Sequence, residues 1–174
     1  MILYTVGDSF TFGDELSNPK KAWPYIVGDK LGCEVHNLAR NGASNDYIML
    51  TTVNYLENNK PDYIIIGWTT ENRLDIGGKC ATINHDPQVF RNWNDDWASE
   101  KLKTQIITMD KYICKNYNRY HCSTWIDSCY FDNMNNYLGK MVEWCYGEEQ
   151  GPYGHPLELG HQKIAENIVK QITN

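Results

Sequence analysis

Ile2-Leu3-Tyr4-Thr5-Val6 runs directly into Gly7-Asp8-Ser9-Phe10. The first five residues have the short, continuous apolar character of a strand buried on both faces, and Gly7-Asp8-Ser9 breaks it. Downstream, Ala22 to Leu31 has helical spacing, with Trp23, Ile26, Val27 and Leu31 on one face and Gly32 as the stop. Glu34 to Leu38 fits a second short strand. Asn45 offers an N-cap to a helix reaching about Asn59, with Ile48, Val53 and Leu56 among its apolar positions. Pro61-Asp62 then turns the chain into Tyr63-Ile64-Ile65-Ile66, the clearest buried strand in the sequence. Strand, helix, strand, helix, strand is the signature of a parallel sheet covered on both sides. The pattern predicts an α/β fold: a three-layer α/β/α sandwich, flavodoxin-like, with a mainly parallel sheet of about five strands and the first strand central.

Beyond Ile66 the pattern weakens. From Leu74 to about Trp97, periodicity fails through Gly77-Gly78, Asp86-Pro87 and Trp93-Asn94-Asp95-Asp96, predicting a long loop or small insertion. Asp95-Asp96 reads as a solvated turn. A helix is expected from about Ser99 to Asn116 and a strand from His121 to Ile126, whereas Asp127 to Gly151 resists assignment. The last helix carries Leu159, Ile164, Ala165, Ile168, Val169 and Ile172 on one face.

A chain of 174 residues is the size of one domain, so residues 1–174 are expected to form a single unit. The net charge of −6 and pI near 5.3 give a field that repels phosphate backbones, which argues against a nucleic-acid partner. No apolar run approaches the ~20 residues of a membrane span. Met1 to Val6 lacks the basic flank of an export signal, so a cytoplasmic location is expected, with no membrane partner. The six cysteines, Cys33, Cys80, Cys114, Cys122, Cys129 and Cys145, include no CxxC pair and read as reduced, mostly structural thiols. The same lack of paired ligand spacing argues against a zinc site.

Three separated places carry residues suited to chemistry: Gly7-Asp8-Ser9-Phe10, Asn41-Gly42-Ala43-Ser44-Asn45, and His155-Pro156 followed by Gly160-His161. In an open parallel sheet, ligands bind beyond the carboxyl ends of the strands. Ser9 directly follows strand one, Gly42 follows strand two, and His155 precedes the final helix, so all three can meet on that rim. A serine, a histidine and a glycine amide on one rim are the parts for acyl transfer. The histidine takes the serine's proton, and backbone N–H groups hold the oxyanion.

In this order and at this spacing, Gly7-Asp8-Ser9-Phe10, the Asn41 to Asn45 block and His155-Pro156 resemble the SGNH/GDSL hydrolase family across nearly the whole chain. The resemblance implies a nucleophilic Ser9, a base His155, oxyanion donors at the amides of Ser9 and Gly42, and no metal or organic cofactor. His161 is similar to a recurrent family position and is expected to pack at the helix start.

Two departures stand out. The family's third block is usually Gly-x-Asn-Asp, its asparagine completing the oxyanion hole, and here Gly67-Trp68-Thr69-Thr70-Glu71-Asn72-Arg73 replaces it. Anchoring on Gly67 puts Thr69 in that slot, but Asn72 is the nearby side-chain amide able to donate and is favoured. The family also carries an aspartate three residues before the histidine, where Pro152 stands here. Either Ser9 and His155 work as a dyad, or a carbonyl or another acid, such as Glu148 or Glu149, substitutes.

The resemblance implies a serine esterase acting on a small-molecule or carbohydrate ester, and the lack of a long apolar loop favours a small acyl group, such as acetyl on a carbohydrate, over a lipid. Two alternatives stay open: a non-catalytic binding or structural module with a decayed site, and an acyltransferase using the same residues. His36, His85 and His121 lack motif partners and read as structural or surface. Asp8 could instead be a metal or phospho-acceptor carboxylate, although no second acid adjoins it. Trp68, Trp93 and Trp97 read as core or lid residues, with an aromatic sugar platform as the alternative.

Overall fold

A computed structural model describes residues 1–76, 78–82, 87 and 91–174; His85 and part of the 74–97 stretch lie outside them. Five strands form one sheet: β1 (Ile2–Val6), β2 (Glu34–Asn37), β3 (Tyr63–Trp68), β6 (Asn118–Ser123) and β7 (Tyr137–Lys140). Their order is β2-β1-β3-β6-β7, and every pairing is parallel. This is the doubly wound arrangement expected from the sequence. β1 is internal, and β3 holds the middle place.

The strand period of two sorts side chains into two cores. Tyr4, Val6, Ile64, Ile66 and Trp68 face one side, where they meet Ile48 and Tyr55 of α3 (Asn45–Asn58) and Leu102 and Ile106 of α4 (Asp95–Thr108). Leu3, Ile65 and Cys122 face the other, against Trp23 and Val27 of α2 (Trp23–Leu31) and Ile164, Ala165 and Ile168 of α6 (Glu158–Thr173). Both faces are covered, which is why these strands read as unbroken apolar runs. Among the described residues, no helix is long and apolar enough to cross a membrane.

Several boundaries differ from the sequence expectation. Ser44, not Asn45, caps α3, its Oγ accepting from Tyr47 N at 3.1 Å; the Asn45 side chain is spent on the Thr69 backbone. Part of the loop expected from Leu74 to about Trp97 lies in an antiparallel hairpin, β4 (Arg73–Ile76) with β5 (Lys79–Thr82). Asn94 accepts from Trp97 N and caps α4, so Asp95 and Asp96 form its first turn, where carboxylates suit the helix dipole. α4 ends at Thr108 and passes into a π-turn, Met109–Ile113. β6 starts earlier than expected because its register is set by β3, with Tyr63 opposite Asn118. The unassigned region supplies the edge strand β7 and the short α5 (Met141–Trp144). On α6, Leu159 is 53% exposed and does not join the buried face.

Candidate functional site

The direction of chain crossovers reverses between β1 and β3, and the crevice at such a point opens at the carboxyl ends of the strands. Ser9 sits there, as the first residue of the short helix α1 (Ser9–Phe12), immediately after β1 and 4% exposed. The turn is built by Asp8. Its Oδ1 accepts from Phe10 N at 3.1 Å and Thr124 Oγ1 at 3.0 Å. Its Oδ2 accepts from Thr69 Oγ1 at 2.8 Å and lies 3.5 Å from Arg73 Nη1. A fully buried carboxylate with hydrogen-bond donors from three chain segments and the Arg73 guanidinium beside it is an organiser of the rim. Burial pushes its carboxyl above the ordinary value, more strongly than Arg73 and the hydrogen bonds pull it down.

Gly7 must be glycine, since a Cβ there would fall 2.9 Å from Gly67 O. Gly42 adopts φ +68, a left-handed conformation, with nothing within 4 Å of a would-be Cβ. Neither the Ser9 nor the Gly42 amide donates to a backbone carbonyl among the described residues. Both are N–H groups of the kind that can receive an oxyanion.

The two candidates of the third block part company. Thr69 is fully buried, with its hydroxyl on Asp8 and its N–H on Asn45 Oδ1. Both of its donors are committed. Asn72 accepts from Thr70 Oγ1 at 2.5 Å and lines a cavity of about 450 Å³ together with Glu71, Trp93, Trp125, Asp127 and Tyr130. Trp125 meets Phe10 edge-on with centroids 5.4 Å apart, and Phe10 meets the His155 ring at 6.0 Å. The chain from His155 through Phe10 to Trp125 therefore joins the histidine side of the rim to this cavity.

His155 lies in the loop before α6, closed by Gly151 N donating to His155 O at 2.9 Å. Its Nδ1 is 2.8 Å from Glu15 Oε2 and 3.7 Å from Asp14 Oδ2. Sequence reasoning missed Glu15. Neither Glu148 nor Glu149 takes that place: Glu148 pairs with Lys163, and the carboxylate that bonds the ring is that of Glu15. Among the described residues, no hydrogen bond joins Ser9 Oγ to His155. His161 packs at the start of α6 as expected, its Nδ1 accepting from Trp23 N at 3.2 Å.

The other singled-out residues fall elsewhere. His121 is buried, with Nδ1 accepting from Trp68 Nε1 at 3.0 Å and Nε2 3.4 Å from Asp110. His36 bonds Tyr55 and Glu34. Trp68 is core, and Trp93 packs edge-on against Trp97.

No family model matches the chain, and no curated protein matches it by sequence. Solved structures do. A member of the lipolytic protein G-D-S-L family from Veillonella parvula is 14% identical, with a TM-score of 0.63 over 100% of this chain and 99% of that one. The psychrotrophic esterase EstA from Pseudoalteromonas sp. is 11% identical, with a TM-score of 0.66 over 99% and 96%. A family two carbohydrate esterase from Clostridium thermocellum, solved in complex with cellohexaose, is 14% identical with a TM-score of 0.65; the match covers 99% of this chain but 63% of that one. The likeness noted in the motifs is thus matched in three dimensions: the chain has the SGNH/GDSL hydrolase fold.

Proposed function

We propose that the protein is a serine esterase that cleaves a carboxylic ester through an acyl-enzyme on Ser9. The observation that carries this reading is the engagement of His155 Nδ1 by a carboxylate at 2.8 Å. A carboxylate only accepts, so Nδ1 bears a proton, and in the neutral ring Nε2 is then the nitrogen whose lone pair can serve as a base. As Ser9 Oγ bonds the ester carbon, its proton passes to Nε2 and the carbonyl electron pair moves onto oxygen. The amides of Ser9 and Gly42, with Asn72 Nδ2, receive that oxyanion. Its collapse breaks the bond to the alcohol oxygen, which leaves with the proton from Nε2. Water then gives a proton to Nε2, attacks the acyl carbon and releases Ser9 with its hydrogen.

The cavity beside Asn72 favours a carbohydrate as the alcohol. Trp93, Trp125 and Tyr130 offer apolar faces, while Glu71 and Asp127 offer acceptors for hydroxyl groups. The cellohexaose held by the Clostridium thermocellum esterase is in keeping with such a partner. Hydrolysis of 4-nitrophenyl acetate and of an acetylated oligosaccharide by the purified protein tests the reading. Both activities should disappear in Ser9→Ala, and Trp125→Ala should reduce kcat/KM on the oligosaccharide roughly 10-fold or more while sparing the small ester. Turnover that survives in Ser9→Ala would defeat it.

A further inference from the structure

Resting on the esterase reading, we propose that Glu15 is the positioning acid of a Ser9-His155-Glu15 triad, supplied by the turn after the nucleophile in place of the residue at 152. Pro152 has no side-chain acceptor, and the chain meets the need from the other side of the rim. Gly13 ends α1 in a left-handed conformation with φ +84, and Glu15 follows at φ +66. A non-glycine residue held there points to surroundings that over-determine it.

Those surroundings are specific. Glu15 Oε2 accepts from His155 Nδ1 at 2.8 Å and from His155 N at 3.1 Å. Tyr153 N reaches both carboxylate oxygens, at 3.0 and 3.2 Å. One carboxylate thus fixes the ring and the backbone that carries it. Space is reserved for it: a Cβ at Gly151 would fall 2.8 Å from Oε2. The pair is sheltered, with side chains 10% and 16% exposed. Burial pushes the Glu15 carboxyl up, but the N–H donors of Tyr153 and His155 outweigh it and hold the group below the ordinary glutamate range. It is therefore ionised at neutral pH, as an acceptor for an imidazolium must be.

Asp14 also faces the ring, from 3.7 Å, but its Oδ2 is taken by Asn41 Nδ2 at 2.6 Å. His161, buried behind the loop, is the other titratable group coupled to His155. Of these, Glu15 alone bonds the ring.

Glu15→Gln is nearly isosteric and removes the charge. It should lower kcat on 4-nitrophenyl acetate by about 10² to 10⁴, with KM within a few-fold, because the imidazolium forms only during attack. Glu15→Asp should recover part of the loss, and Asp14→Asn should stay within tenfold of the parent. A second readout needs neither turnover nor a variant that folds: the Nδ1 proton of His155 should give a proton NMR signal downfield of the amide region in the unmodified protein. Loss of kcat with that signal present supports the triad. A folded Glu15→Gln protein with kcat within tenfold of the parent, or the absence of the downfield proton, overturns it, while a dead Ser9→Ala keeps the esterase reading intact. No turnover and no labelling of Ser9 by a fluorophosphonate would defeat the esterase reading and the triad with it.

Discussion

Glu15 and His155 are 140 positions apart in the chain and meet at 2.8 Å. The contact ties the turn after Ser9 to the loop before the last helix, and it has a consequence for stability. The folded-state carboxyl of Glu15 is depressed, so the folded protein holds fewer protons than the unfolded chain as acid is added. The stabilisation is full above the unfolded glutamate value of about 4.3 and is lost as pH falls through the folded one. Urea midpoints of the parent and Glu15→Gln should differ at pH 7, and the difference should shrink as pH falls below about 4.3. A gap that stays constant down to pH 3 would contradict the assignment.

His161 predicts a second pH dependence. Burial, and secondarily the charge of His155, lower its value from 6.5 to about 4, and its Nδ1 must stay unprotonated to accept from Trp23 N. The unfolded chain binds a proton that the folded one refuses, so stability falls as pH drops from about 6.5 towards 4, by up to roughly 3 kcal/mol. His161→Gln should lower stability at pH 7 but flatten that slope in urea titrations. An unchanged slope would show that another group is responsible.

Asp8 organises the rim from inside. Asp8→Ala removes the acceptor from Phe10 N, Thr69 Oγ1 and Thr124 Oγ1 together. The loss of a helix cap and of partners for two buried hydroxyls should cost about 3 kcal/mol or more in urea unfolding. Asp8→Asn, which keeps one acceptor, should cost less. Equal losses would mean that the charge facing Arg73 dominates.

Two glycines of the rim should respond differently to alanine. At Gly42 the space is open and the backbone is left-handed, so Gly42→Ala should cost about 1–2 kcal/mol of conformational strain. At Gly7 the new Cβ would meet Thr11 Cβ at 2.8 Å and Gly67 O at 2.9 Å. Gly7→Ala should therefore cost about 3 kcal/mol or prevent folding. Comparable midpoints for the two variants in denaturant would contradict these packing assignments.

The alternation from Ile2 to Ile66 was legible because strands covered on both faces need apolar residues at every position. β7 was not: at this edge strand Leu138 is the one buried side chain, and Gly139 adopts φ +130. Ser9, Gly42 and His155 stood out because each follows or precedes a readable element. Glu15 carries no such mark. Its contact with His155 depends on the loop at Gly151 folding back onto it, and sequence proximity favoured Glu148, whose partner is Lys163. An acid six positions after Ser9, on the same rim, was the available signal.

The most direct test of the central claim is reaction with a fluorophosphonate followed by mass-spectrometric mapping of the adduct. One adduct is expected, on Ser9, formed by the parent, absent in Ser9→Ala and slowed in His155→Ala. An unlabelled Ser9 in folded protein, without ester turnover, would contradict it and leave a binding module on a hydrolase fold.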